Sequence, residues 1–369
     1  MTRASRKSIT RDPVELACEL NDAAVACYRQ GQQKKAERLF RRALRLIEEA
    51  EGPDSPDAAN VMNSLAAIYE DRCDYEQAEQ LYGRAVSITE DLDGDEDVER
   101  LRIESLSNLG RVHRMRGRYD SAGPLLLRAL ALVKKRFGSG SLETAAALND
   151  LGMLYKFTAR FDEAEPLYRR ALRIIQRRLG SNHASLASIY HNLGGLEHAR
   201  GNYAKGEPFA RRSVELREQA LGPDHPDVAA DVAGLAALLD GQGKYDEAEP
   251  LYRRALSVFE RVYGAEHYEI AVNLNNLAAV RQAKGDLKEA ETLYRRALRL
   301  KEKLFGPDNI EVAMTANNLA VLLKAEGKID RAKELYTRAL AVFEKSLGPK
   351  HPHTITCREN YESLMAENS

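Results

Sequence analysis

His191 and His198 stand seven residues apart and would share one face of a helix, the nearest approach in this chain to a metal-binding or acid–base pair. No cysteine or carboxylate stands at a spacing that completes a ligand set with them, so neither a metal nor a cofactor is expected. His183, His225, His267 and His351 recur with a fixed period in Gly/Pro-rich segments. They resemble a ladder of ligands, but loops one repeat apart cannot share an ion at bond lengths of about 2 Å. Cys18, Cys27, Cys73 and Cys357 form no C-x-x-C pair and read as small, buried, reduced helix residues, as in a reducing compartment. The pairs Arg169-Arg170, Arg211-Arg212, Arg253-Arg254 and Arg295-Arg296 look like a basic stripe. Each follows a glutamate four residues before its first arginine, namely Glu165, Glu207, Glu249 and Glu291. Such i,i+4 pairs mark a solvated outer face, worth a few tenths of a kcal/mol each, rather than a nucleic-acid site. No P-loop, G-x-S-x-G, H-E-x-x-H or glycine-rich dinucleotide motif is present. The chain reads as non-catalytic.

These residues recur because the chain itself recurs. One nine-residue segment appears eight times, as AERLFRRAL from Ala36, AEQLYGRAV from Ala78, AGPLLLRAL from Ala122, AEPLYRRAL from Ala164 and Ala248, GEPFARRSV from Gly206, AETLYRRAL from Ala290 and AKELYTRAL from Ala332. Successive starts differ by 42, 44, 42, 42, 42, 42 and 42 residues. In the last unit Ala313, Ala316, Leu319, Ala320 and Leu323 mark one apolar stripe, and Ala332, Leu335, Tyr336, Ala339, Leu340 and Phe343 another. Steps of three and four make both amphipathic helices. Gly327 separates them, as do Gly31, Gly117, Gly201, Gly243 and Gly285 in other units. Each unit is therefore a hairpin of helices A and B. Helix B ends at L-G-P-x-H-P or a relative of it, where Gly caps and Pro stops the helix. Small residues open helix B and recur seven residues on, as Ala248 and Ala255 do, or Gly206 and Ser213. They let helix axes approach closely. A lone hairpin cannot bury its apolar face, so the units must stack.

The pattern N-x-L-A…G-x-Y-x-x-A-x-x-L-Y-x-R-A-L resembles tetratricopeptide repeats. The long unit, with NNLA, YDEAE, LYRRAL and LGPDHP, is similar to the kinesin light chain subclass. The resemblance covers about 12 to 367. It implies an all-α, right-handed superhelical solenoid of eight hairpins plus a C-terminal capping helix, with A helices lining a concave groove that binds peptides. Residues 12–369 are expected to form this single array, behind a disordered basic tail over 1–11. Asp12-Pro13 is the expected first helix start. The acidic segment EDLDGDEDVERLRIE from Glu90 lacks the G-P-D-H-P turn and is expected to be a longer solvated loop.

By that resemblance, the positions fourteen and fifteen residues before each helix B opening face the groove. They hold Asn108, Asn149, Asn192, Asn275, Asn276, Asn317 and Asn318, and also His191. Asparagine is an indifferent helix former, so its recurrence in mid-helix wants a reason. An amide can both donate to and accept from a bound backbone; it can equally bond to the neighbouring repeat. Eight residues before each opening lie Arg114, Lys156 and His198. With Arg111 and His191 they are expected to form a basic cluster near repeats three to five, suited to an acidic peptide.

The function expected is a protein–protein interaction scaffold; the alternative is a sensor or regulatory subunit that binds a small molecule or peptide and relays a shape change. The net charge of -1 argues against nucleic acid as partner. No stretch is apolar enough to span a bilayer and no signal peptide is evident, so a cytoplasmic, non-membrane protein is expected. The sequence leaves oligomeric state open.

Overall fold

The computed structural model describes residues 12–92 and 95–367. The expected tail over 1–11 lies outside them. Among the described residues there are seventeen helices and no strand. A first compact unit, up to Arg178, holds four hairpins. These are α1 (Pro13–Arg29) with α2 (Gln33–Glu51), α3 (Pro56–Asp71) with α4 (Tyr75–Asp91), α5 (Glu96–Met115) with α6 (Tyr119–Phe137), and α7 (Leu142–Phe157) with α8 (Phe161–Leu179). A second unit, from Leu179, holds four more and a closing helix. These are α9 (Leu186–Ala199) with α10 (Tyr203–Leu221), α11 (Pro226–Gly241) with α12 (Tyr245–Tyr263), α13 (Tyr268–Ala283) with α14 (Leu287–Phe305), α15 (Ile310–Ala325) with α16 (Ile329–Leu347), and α17 (Pro352–Glu367). Odd-numbered helices are A helices. Within each unit the backbones of successive A helices touch and those of successive B helices do not. Each unit therefore curves with its A helices on the inner side.

The start signals work as their chemistry requires. Asp12 accepts the amide of Val14 at 3.0 Å, Ser55 that of Ala58 at 3.2 Å and Ser141 that of Thr144 at 3.1 Å. The loop histidines do the same work. Nδ1 of His183, His225, His267 and His351 accepts the amide two residues on, at 3.1–3.3 Å. At His225, His267 and His351 this caps an orphan amide at a helix start, whereas His183 holds the amide of Ser185, just before α9. The A–B turn needs a residue at positive φ. Glycine fills it in six repeats, but Cys73 (φ 60°) and Ala159 (φ 56°) stand there in the second and fourth. Cys73 is accordingly an exposed turn residue, and Cys18 is exposed as well, whereas Cys27 and Cys357 are buried as expected.

The core repeats with the sequence. Tyr82, Tyr168, Tyr252, Tyr294 and Tyr336 are each at most 2% exposed. Sixteen residues before each, helix A holds a small residue: Ala66, Gly152, Ala236, Ala278 and Ala320. In the fourth repeat a Cβ on Gly152 would lie 2.8 Å from the Tyr168 ring. At Gly206 a Cβ would lie 2.6 Å from Leu238 and 3.0 Å from the Gly194 carbonyl oxygen. The expectation of close helix approach at these small residues holds there.

The acidic segment after Glu90 departs from the expected long loop. Helix α5 begins at Glu96, capped by Asp95, and runs 20 residues against 16 in α3 and α7. The extra residues form a further turn of helix because Val98 and Leu101 are apolar and bury. With no glycine to end α4, Arg102 takes over, donating from Nε to the Thr89 carbonyl and from Nη2 to that of Leu92, each at 2.8 Å.

Candidate functional site

On the outer side, charges are consumed in holding repeats together. The first arginine of each pair bonds its own Glu, as expected: Arg169–Glu165 at 2.7 Å and Arg253–Glu249 at 2.9 Å. The second arginine reaches back to the preceding repeat. Arg254 meets Glu218 at 2.7 Å and the Pro223 carbonyl at 3.2 Å. Arg84 meets Glu48 and the Pro53 carbonyl, both at 2.9 Å. Arg296–Glu260 and Arg338–Glu302 repeat the contact at 2.5 Å. The same glutamates that serve the first arginine also receive cations from the next A–B turn. Glu249 takes Arg281 at 3.1 Å and Lys284 at 2.9 Å. Its carboxyl is held down at about 2: burial would raise it, but hydrogen bonds from Lys284, Arg253 and Arg281 outweigh that. Glu207 is also held near 2 by Lys244, Gln242 and Arg211.

The inner side of the first unit is arranged differently. Of the expected cluster, Arg111 is already neutralised. Its Nε and Nη2 donate to the two Glu70 oxygens at 2.6 and 2.8 Å, and Nη2 also donates to Asn108 at 3.0 Å. Arg114 and Lys156 are not neutralised in this way. Arg114 is 6% exposed, and neither cation makes an ion pair or hydrogen bond among the described residues. Both rest on one ring: the Arg114 guanidinium carbon lies 5.1 Å and the Lys156 Nζ 5.2 Å from the centre of Phe157. Burial, together with the Arg114 charge, pulls the Lys156 ammonium down to about 8. Burial also lowers Arg114. Asp150 lies close enough to feel both arginines, though burial keeps its carboxyl raised. The Tyr168 hydroxyl is buried nearby with no hydrogen-bond partner.

Phe157 was missed in the sequence, yet it had a signal. The position seven before each helix B opening is small or charged in six repeats and holds Met115 and Phe157 in the third and fourth. These side chains are 45% and 51% exposed. Asparagine columns in this unit make internal contacts. Asn149 reaches the Met153 sulfur at 3.9 Å, and Asn63 donates to Ser105 of the next repeat at 2.9 Å.

In the second unit, His191 does have a carboxylate. Its Nδ1 lies 2.7 Å from Asp231, which is 2% exposed and also bonded by Arg217 Nε at 2.6 Å. That partner belongs to the next A helix, 40 residues on, and so was invisible to a search for local spacing. Burial would raise the Asp231 carboxyl, but His191 and Arg217 hold it low. His191 thus bridges α9 and α11. His198 is exposed and sits edge-on to Tyr203 with centroids 5.2 Å apart. No group of three or more potential metal ligands occurs among the described residues. Asn318 donates to Asn275 at 3.3 Å across the repeat boundary, and Asn275 donates to Asn276 at 3.3 Å. Asn192 is 5% exposed, and the Asn317 carbonyl oxygen is buried with no hydrogen-bond partner. Packing between repeats therefore accounts for part of the asparagine columns.

Paired helices of this length, repeated at this period, match the family described as Tetratricopeptide repeat over residues 15–91, 101–177, 185–261, 229–303, 269–345 and 311–367. The chain belongs to the tetratricopeptide-repeat family. Its solved neighbours include a signal-transduction ATPase with numerous domains from Pyrococcus horikoshii that has a tetratricopeptide repeat sensor; it is 13% identical, with TM-score 0.65, over 99% of this chain and 51% of that one. A Rap protein complexed with Competence and Sporulation Factor is 12% identical, with TM-score 0.63, over 96% and 98%. Kinesin light chain-like proteins are among them too, such as BtubC (BKLC) from P. vanneervenii at 21% identity over 70% and 93%, TM-score 0.47. No curated protein matches the chain. Tetratricopeptide-repeat proteins are in general non-catalytic scaffolds that bind protein or peptide partners. No helix among the described residues is long and apolar enough to cross a membrane.

Proposed function

We propose that this protein is a scaffold that holds a peptide or protein segment against the inner, A-helix side of the array, with a preference for acidic segments in the first unit. The contrast between the two sides carries the reading. Outer-side cations such as Arg254 and Arg281 are paired across repeats, whereas Arg114 and Lys156 on the inner side have no such partner among the described residues. Desolvating a cation costs several kcal/mol unless something compensates it; Asp150 lies near Arg114, but neither cation is hydrogen-bonded to a carboxylate, and an acidic ligand would supply that bond. Among proteins of the same fold, a Rap protein is found complexed with Competence and Sporulation Factor, which supports the placement of a ligand on such an array.

The test is capture of partners by the immobilised full chain, with bound chains identified by mass spectrometry. Charge reversal at Arg114 and Lys156 should remove the principal partner. Replacing Asn192, Asn276 and Asn318 by alanine should weaken it. Retention at wild-type level in both variants would overturn the reading.

A further inference from the structure

Lys301 and Lys156 both carry their side chains into the fold, with opposite outcomes. Lys301 on α14 is 4% exposed and meets the Glu311 carboxylate at 2.8 Å. Lys156 on α7 is half-buried and makes no ion pair or hydrogen bond among the described residues. Its Nζ lies 5.2 Å from the centre of the Phe157 ring, and the Arg114 guanidinium carbon lies 5.1 Å from the same centre. The two cations are therefore at most about twice that distance apart. Arg114 belongs to α5, the preceding A helix, whose backbone touches that of α7. A phenylalanine face attracts a cation, but more weakly than a carboxylate does. Burial and a like charge then both act against the ammonium form, and Lys156 falls to about 8. A lysine amine desolvated beside another cation is an activated nucleophile.

Arg114 decides which electrophile suits that amine. It is 6% exposed and donates a hydrogen bond to no carboxylate among the described residues. Asp150 lies within its field, but burial pushes that carboxyl towards its neutral form. An aldehyde captured by Lys156 would leave an imine, which on protonation restores the like-charged pair. An acyl group would leave a neutral amide, and Arg114 would still lack a bonded anion. Carbon dioxide enters small and uncharged, beside the exposed Phe157 ring. It leaves a planar two-oxygen anion on the lysine, the shape that an arginine fork fits.

We propose that Lys156 is a carbon dioxide acceptor: its amine takes up CO2 as a carbamate, and Arg114 holds the new anion. The ammonium first gives one proton to water. The nitrogen lone pair then attacks the CO2 carbon, a C–N bond forms, and one C=O π pair moves onto oxygen. The second proton leaves the nitrogen for water. Nothing is oxidised or reduced, and the step reverses when CO2 is withdrawn. Two cations side by side thereby become an ion pair. The adduct forms on the protein alone, whether or not the array also holds an acidic segment.

The test incubates the full chain with 13C-bicarbonate in a closed vessel at pH 8, traps carbamates as ethyl esters with triethyloxonium, and locates the label by peptide mass spectrometry. At that pH the uncharged fraction of Lys156 is roughly a hundred times that of a lysine at the ordinary 10.5. Label on Lys156 should therefore exceed that on exposed Lys34 and on paired Lys301 by about tenfold or more. Arg114→Gln should lower the Lys156 label by about tenfold. Arg114→Lys, which keeps the charge but not the fork, should lower it less. Label on Lys156 no higher than on Lys34 would overturn the proposal. So would undiminished label in an Arg114→Gln chain that keeps its helical circular dichroism. The comparison of lysines within one wild-type molecule needs no variant to fold.

Discussion

Glu249→Gln isolates the link that joins three elements on the outer side. Glu249 receives Arg253 from its own helix, and Arg281 and Lys284 from the following A–B turn. Its carboxyl falls from the ordinary 4.5 to about 2. At about 1.4 kcal/mol per pH unit, that shift sets a ceiling near 3.4 kcal/mol. The Glu249 side chain is only 13% exposed, but Arg253 is 45% exposed, so solvent screening brings the expected loss to about 1–2 kcal/mol. The sign follows from the direction of the shift. The folded chain ionises Glu249 more readily than the unfolded chain, so the ionised form favours folding. This contribution is complete above about pH 4.5 and is lost as the pH falls towards about 2. Urea unfolding followed by circular dichroism at pH 7, 4 and 2.5 would measure it. The gap between wild type and E249Q should be widest at pH 7 and should shrink to about a quarter of that at pH 2.5. A gap that is absent at pH 7, or constant across the series, would refute the reasoning.

Three further substitutions probe the backbone and the packing. Ala159→Gly and Cys73→Gly should each stabilise the chain by about 0.5–1 kcal/mol in the same unfolding assay, since both residues occupy the left-handed region at φ 56° and 60°. Gly206→Ala should destabilise by about 1–3 kcal/mol, because the new Cβ meets the Gly194 carbonyl as well as Leu238. His225→Ala should cost about 0.5–2 kcal/mol through loss of the cap on Asp227, and His225→Asn should restore most of it.

The hairpins were plain in the sequence because the signals that make them are local. Gly327 and Asp12 act within a few residues, and the apolar steps of α16 repeat within one turn. Contacts between repeats were not legible in that way. The second arginine of each pair looked like half of a solvated stripe, because its partner lies about 36 residues upstream. Asp231 was hidden from His191 for the same reason, and Glu70 from Arg111. The capping histidines gave a periodic signal whose chemistry only the backbone geometry identifies. Among the inner-side residues, Arg114 and Lys156 both lie over the Phe157 ring. Phe157 went unnoticed because it breaks a column whose other members are too varied to announce a rule.

The arginine that reaches back one repeat also limits how such an array can be rearranged. Its glutamate partner stands twelve residues after the helix B opening in six repeats, but the third has Lys134 and the fourth Gln176 there. Arg170 keeps only the loop-carbonyl part of the contact, to Ser139, and Arg212 bonds the Ser181 carbonyl together with Glu215 and Asn182. A repeat placed after the third would face a lysine where its arginine seeks a glutamate, so the modules are not interchangeable cassettes. Duplication or exchange is easiest among the later repeats, where Glu218, Glu260 and Glu302 present the same socket.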